Sequence, residues 1–233
     1  MSGVAQTILI TGASGHLGRA VAKAFHTQGA RLILLDRQKP PADTIPGSTD
    51  QTLFLEVDLL DRQKVSQAIT RACEQFGDIT AVCHIAGGFR MGEAVHETSE
   101  GTWDFLMDLN ARSFINVAAA TVPVLLRRGG GKVVTVGAGA ATRGGAHMGA
   151  YSASKSALIR LTESMSAELK DKGINVNCVL PSIIDTPDNR SAMPDADPSS
   201  WVAPDALADV IAFLASDAAR AIHGAAIPVS GMV

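Results

Sequence analysis

The strongest constraint on the fold lies between Thr7 and Gly18. A short apolar stretch, Thr7 to Thr11, meets Gly12-Ala13-Ser14-Gly15-His16-Leu17-Gly18, and an amphipathic stretch follows at once. Glycines in this rhythm have a use where a strand turns sharply into a helix. Gly12 takes the tight turn, Gly15 lets a ligand approach the backbone, and Gly18 lets helix and strand pack closely. The helix that opens here points free backbone N–H groups outward, and those groups attract phosphate. Set in a chain of alternating strands and helices, this is the turn that binds the pyrophosphate of a dinucleotide.

The rest of the chain supplies the alternation. Short apolar runs at Arg31 to Leu35, Leu53 to Val57, Ile79 to Cys83, Lys132 to Val136, Asn175 to Val179 and Ala225 to Val229 predict six more strands. Helices are predicted at Leu17 to Gln28, Arg62 to Phe76, Trp103 to Arg127 with a break at its start, Tyr151 to Lys172, and Pro204 to Ser216. The expected fold is one α/β domain over residues 1–233: a Rossmann-type, doubly wound parallel sheet of about seven strands with helices on both faces. Two segments break the pattern. Gln38 to Gln51 holds Pro40, Pro41, Pro46 and Gly47 and reads as a loop in place of a helix. Pro187 to Ser200 reads as a substrate-side loop or lid, because a long irregular stretch inside a compact domain usually serves a site.

Composition narrows the partners. A net charge of -3 and no basic cluster exclude a phosphate-backbone or anionic-lipid footprint, so neither nucleic acid nor membrane is expected. No apolar run reads as long enough to span a bilayer, and Met1 to Gln6 carries no basic leader, which predicts a cytoplasmic protein. The 3 cysteines, Cys73, Cys83 and Cys178, are far apart in apolar runs and read as reduced core thiols. The 6 histidines show no metal-binding spacing, so no metal is expected.

Asp36 closes the second predicted strand. A carboxylate there accepts hydrogen bonds from the adenosine ribose and repels a 2′-phosphate, favouring NAD(H) over NADP(H). Arg37 pulls the other way, since an arginine can pair with that phosphate. Further on, Tyr151 and Lys155 stand four residues apart on one helix face, and Tyr151 is the single tyrosine of the chain. A cation held near the phenol is expected to lower its pKa and make it a proton donor and acceptor.

With those residues the chain resembles the short-chain dehydrogenase/reductase family over nearly its whole length. The resemblance implies an NAD(P)(H)-dependent oxidoreductase with Tyr151, Lys155 and Asn110 as catalytic residues, Asn110 holding a water that links the lysine to solvent. It further implies that Ser14, His16, Leu17, Asp58, Leu59, Ala86, Gly87, Pro181, Ile184 and Thr186 join Gly12, Gly15, Gly18, Asp36, Arg37, Tyr151 and Lys155 around the cofactor. A homodimer or homotetramer is the family habit. The chain departs from the pattern in its glycine spacing, in His84-Ile85 where two asparagines are usual, and in Ser182 where a glycine is usual.

One departure bears on the substrate. The family's substrate-positioning serine lies thirteen residues before the tyrosine, and here that position is Ala138. Gly137 to Ala141 contains no hydroxyl, and removing a donor from a developing oxyanion costs about 10²- to 10³-fold. Dihydropteridine reductases are a branch without that serine. Ala86-Gly87-Gly88-Phe89 and the stretch from Asp185 through Arg190 to Trp201 resemble theirs locally. The expected substrate is therefore a small quinonoid or conjugated compound, with Arg190 and Trp201 as candidates to contact it. The alternative keeps a ketone or alcohol substrate and lets Thr142 or Ser182 replace the serine. A nucleotide-binding sensor or scaffold that has lost its chemistry is the alternative of another class.

Overall fold

The computed structural model describes residues 6–41, 44, 46–48 and 50–232. Seven strands, β1 (Thr7–Thr11), β2 (Arg31–Asp36), β3 (Thr52–Glu56), β4 (Ala81–His84), β5 (Gly131–Val136), β6 (Ile174–Pro181) and β7 (Ala226–Val229), form one parallel sheet in the order β3-β2-β1-β4-β5-β6-β7. The fold is Rossmann-like. Its inner strands are buried on both sides, which explains why they read as continuous apolar runs, while the edge strand β7 is only partly buried.

Strand alternation sorts the core into two layers. Ile8, Ile10, Leu32 and Leu34 point to the face covered by α1 (His16–Thr27) and α7 (Pro204–Leu214). Leu9, Ile33, Val82 and Val133 point to the face covered by α2 (Arg62–Phe76), α4 (Ser113–Arg128) and α5 (Gly149–Leu169). Strand order reverses between β1 and β4, and a crevice opens beyond their C-terminal ends, the usual ligand position in such sheets.

Three local features differ from the sequence expectation. The helix after β4 starts at Glu100, earlier than Trp103, because Ser99 accepts a hydrogen bond from the Thr102 N–H and caps it. The expected break in that helix is a π-helical turn, Asp108–Arg112, joining α3 (Glu100–Met107) to α4 without interruption. The resulting helix, Glu100–Arg128, contains an 18-residue window of mean hydropathy 1.3, long and apolar enough to cross a membrane, contrary to the expectation that no run is. Half of that window is buried, with Phe114, Val117 and Leu125 in the core.

The segment 187–200 is also more ordered than a loop. It begins with a short helix, α6 (Pro187–Ala192), and ends in a 3-10 turn, Pro198–Ser200. Thr186 caps α6 by accepting from the Asn189 N–H, Pro187 presets the first helical φ, and Asp188 sits in the first turn. The β2–β3 connection holds no α-helix among its described residues, as its prolines foretell.

Candidate active site

A cleft of about 1400 Å³ lies along the C-terminal ends of the strands. The β1 and β4 turns meet backbone to backbone at its floor. Gly12 has φ +66°, and a Cβ there would lie 2.7 Å from the Ala86 nitrogen. At Gly18 a Cβ would come within 2.1 Å of the Gly12 carbonyl oxygen, so close helix–strand packing requires glycine. Gly15 is different: its Cβ would meet only the Gly12 carbonyl oxygen, at 3.4 Å, and it faces the cleft. No side chain caps α1, whose N-terminal residues His16, Leu17 and Gly18 line the cleft. An anionic group can therefore approach the helix N-terminus without displacing protein atoms.

At the end of β2, Asp36 is held in place by the main chain. Its Oδ2 accepts from the Ser14 N–H at 2.9 Å and its Oδ1 from the Arg37 N–H at 2.7 Å. Each oxygen retains a lone pair for a ligand hydroxyl. Asp36, Arg37, Asp58 and Leu59 line this end of the cleft, while Ala86, Gly87, Pro181, Ile184 and Thr186 line its middle. Every residue assigned to the cofactor from sequence thus borders one continuous cavity. The groups present fit a dinucleotide: an uncapped helix start for the pyrophosphate and an anchored carboxylate for the ribose.

Tyr151 and Lys155 lie together on α5 and both line the cleft. Lys155 is buried, and its Nζ donates to the Val136 carbonyl at 2.8 Å. Burial lowers its pKa to about 8. The phenol does not follow the sequence expectation. Burial pushes Tyr151 up to about 12, desolvation of the phenolate being the cause.

Asn110 stands behind the cleft wall, fully buried in the π turn. Its Oδ1 accepts from the Gly88 N–H, and its Nδ2 donates to the Gly88 carbonyl and the Ser154 hydroxyl. Both amide donors are spent clamping the β4 turn to α5, while Oδ1 keeps a second lone pair. A Cβ on Gly87 would come within 2.8 Å of Lys155 Nζ and 2.9 Å of Asn110 Oδ1, which puts Gly87 against both residues.

The substrate half is sparse in polar groups. Ala138 lines the cleft and is 6% exposed. Thr142 is exposed, does not line the cleft, and donates its hydroxyl to the Gly139 carbonyl at 2.8 Å. Ser182 does line it, with its hydroxyl turned to the Ser230 carbonyl at 2.7 Å. Two candidates fall elsewhere. Arg190 makes a two-pronged pair with Asp185, at 2.6 and 2.7 Å, and does not line the cleft. Trp201 is 7% exposed and packed in the fold rather than stacked over the cleft. In their place the structure supplies Phe89, Met91, Met148 and Met193. The Phe89 ring stands edge-on to Tyr151 at 4.7 Å and 85°. Methionines gathered from separate loops give no periodic signal, so only Phe89, beside the Ala86-Gly87-Gly88 turn, was marked in the sequence.

The family model described as short chain dehydrogenase matches residues 6–197. The chain belongs to the short-chain dehydrogenase family. Among curated relatives, oxidoreductase UcpA of Salmonella typhimurium is 32% identical, the match covering 94% of this chain and 90% of that protein. Carveol dehydrogenase from Mycobacterium avium, solved in complex with NAD, is 25% identical with a TM-score of 0.86 over 98% of this chain and 97% of its own. ElxO, solved with NADP bound, shares the fold at 20% identity and a TM-score of 0.90, covering 98% of each chain. Membership makes the protein an oxidoreductase of a fold that binds nicotinamide cofactors. None of the three carries the name of a pterin reductase.

Proposed function

We propose that the protein transfers a hydride between NAD(H) and a small, flat, conjugated substrate of the quinonoid or dihydropteridine-like kind. The observation that carries this reading is the missing oxyanion donor. Ala138 lines the same cleft as Tyr151, Thr142 lies outside it, and Ser182 is turned to a backbone carbonyl. A carbonyl reduced there would lack the hydroxyl that position 138 usually supplies, whereas a conjugated ring spreads the developing charge over its own atoms. The apolar faces of Phe89, Met91, Met148 and Met193 suit such a ring.

Each of the chain's own groups has a place in this scheme. The Gly12–Gly18 turn and the α1 N-terminus bind the pyrophosphate, and Asp36 receives the ribose hydroxyls and disfavours a 2′-phosphate. The nicotinamide supplies the hydride when bound. Tyr151 holds the proton at Oη, and a phenol raised to about 12 gives up that proton only to a strongly basic centre, which suits reduction. Lys155 keeps positive charge beside Gly87 and the cofactor cradle, while Asn110 and Ser154 act as positioning residues. Exposed Trp103, Ile115 and Leu126 on α3 and α4 support a homo-oligomer, checkable by light scattering.

The test is to follow NADH, and separately NADPH, with quinonoid dihydropterin and with a panel of small ketones, subtracting uncatalysed oxidation. Enzymatic oxidation of NADH with the pterin and little turnover of ketones is the expected result. A second reading, an alcohol or ketone dehydrogenase, is favoured by the similarity to carveol dehydrogenase, and ketone turnover matching or exceeding pterin turnover would establish it instead. Tight NADH binding with no turnover of any acceptor would leave only a nucleotide-binding sensor.

A further inference from the structure

His84 ends β4 at a position where no solvent reaches it, and neither the cofactor cradle nor the proton path described above uses it. Its Nδ1 lies 3.0 Å from Thr11 Oγ1 and its Nε2 lies 3.3 Å from Ser113 Oγ. The neighbouring bonds fix which partner donates. Ser113 spends its one hydroxyl hydrogen on the Leu109 carbonyl at 2.6 Å, so toward His84 it can only accept. Thr11 accepts from the Ala86 N–H at 3.3 Å, and His84 Nδ1 is the remaining recipient for its own hydroxyl hydrogen. Thr11 and Ser113 are fully buried as well, so water does not offer an alternative.

We propose that His84 is a positioning residue: an imidazole protonated at Nε2 alone, which completes a one-way chain from the Ala86 amide through Thr11, His84 and Ser113 to the Leu109 carbonyl. The chain joins the two structures that hold the cofactor turn. Ala86 begins that turn, and Leu109 precedes Asn110, which grips Gly88 at the turn's other end. Gly87, between them, lies so near Lys155 that a Cβ on it would come within 2.8 Å of Nζ. An imidazolium would place a second donor against Thr11, which already holds one donated hydrogen and would have to turn its own away. Burial, with Lys155 as the nearby charge, keeps the ring neutral by lowering its pKa to about 3. The ring also tilts against Phe114 at 5.4 Å, which fixes its plane.

Nitrogen-15 NMR of the histidine-labelled whole chain tests the assignment without any substitution. His84 should give one unprotonated nitrogen at Nδ1 and one N–H at Nε2, unchanged from about pH 5 to 8. An Nδ1–H tautomer, or titration within that range, overturns the proposal. Its effect on the site rests on the cofactor reading above and is measured separately, by fluorescence titration with NADH. H84F keeps the ring and its contact with Phe114 but severs both bonds, and it should weaken NADH binding about tenfold, the scale of one buried polar group left unpaired. H84Q, which can accept from one side and donate to the other, should recover part of that loss. Equal loss in H84F and H84Q, with the fold intact by circular dichroism, would reduce His84 to a space-filling role. Failure of the parent chain to bind NADH would count against the cofactor reading, and the NMR result would still stand or fall alone.

Discussion

The two ends of the cleft are built from different material. The nucleotide end is main chain: Gly12, Gly15 and Gly18 at the β1 turn, Ala86 and Gly87 at the β4 turn, and a carboxylate anchored by two backbone N–H groups. The substrate end is side chain: Phe89, Met91, Met148 and Met193 around Tyr151, with Ala138 where a hydroxyl would be most useful. Backbone construction tolerates almost no substitution, because a Cβ at Gly18 would occupy the same space as a carbonyl oxygen. Side-chain construction is free to drift, since losing a hydroxyl at Ala138 leaves the sheet and helices untouched. Binding of the cofactor is therefore built into the fold, and choice of substrate is laid over it.

The largest effect should come from the residue that joins the two ends. Tyr151→Phe removes one oxygen and keeps the ring that meets Phe89 edge-on. Turnover should fall about 10²- to 10⁴-fold, the range for a lost general acid, with NADH affinity unchanged by fluorescence titration. Unchanged turnover would remove Tyr151 from the chemistry and with it the distinction between the two ends.

Next comes the hydroxyl itself. Ala138→Ser adds a donor to a cleft-lining position and should raise turnover of small ketones by about 10²-fold, the lower end of what an oxyanion donor contributes. Turnover of a quinonoid acceptor should change little. If ketones gain nothing, the substrate does not pass beside Ala138, and the absent hydroxyl says nothing about its chemistry.

The same contrast explains what the sequence could reveal. Strand and helix positions emerged from apolar alternation, and the nucleotide end from glycines whose conformational demands are local. Gly12 adopts φ +66°, a conformation that by itself favours glycine, and that preference is visible in one residue. Trp201, Arg190 and Thr142 were candidates because their side chains could reach a substrate, yet their directions depend on tertiary packing. Trp201 fills the core, Arg190 has a closer carboxylate in Asp185, and Thr142 finds a carbonyl three residues back. Asn110 was recognised, but the clamp it forms needs Gly88 and Ser154, 22 and 44 residues away in sequence. No spacing rule links those positions.

The glycines allow a finer division within the nucleotide end. Gly18→Ala should destabilise the protein by about 1–3 kcal/mol through overpacking, read as a lower melting temperature. Gly15→Ala should melt normally, because its φ is -71° and its Cβ meets one atom at 3.4 Å. Its cost should appear in NADH affinity alone. If the two variants behave alike, Gly15 is a packing residue and does not mark the approach of the phosphates.

The smallest effect concerns Lys155, which lies between the two ends with its ammonium on the Val136 carbonyl. Burial lowers its folded-state pKa to about 8, from an ordinary 10.5. Between those two values the unfolded chain holds a proton that the folded protein has released, so the unfolded state binds more protons and stability must rise with pH across this window. Below about 8 both states are protonated, and folding bears the whole cost of burying the charge. Lys155→Met removes the titration while preserving length and apolar volume. Compared with the parent by thermal unfolding, the variant's stability advantage should shrink by about 1–2 kcal/mol between about pH 7 and pH 9.5, with other alkaline effects common to both proteins. A constant difference would mean that Lys155 stays protonated throughout and that the Val136 carbonyl offsets its burial. The nucleotide end would then carry a permanent positive charge, and the cofactor-side residues would have to be reckoned with that charge in place.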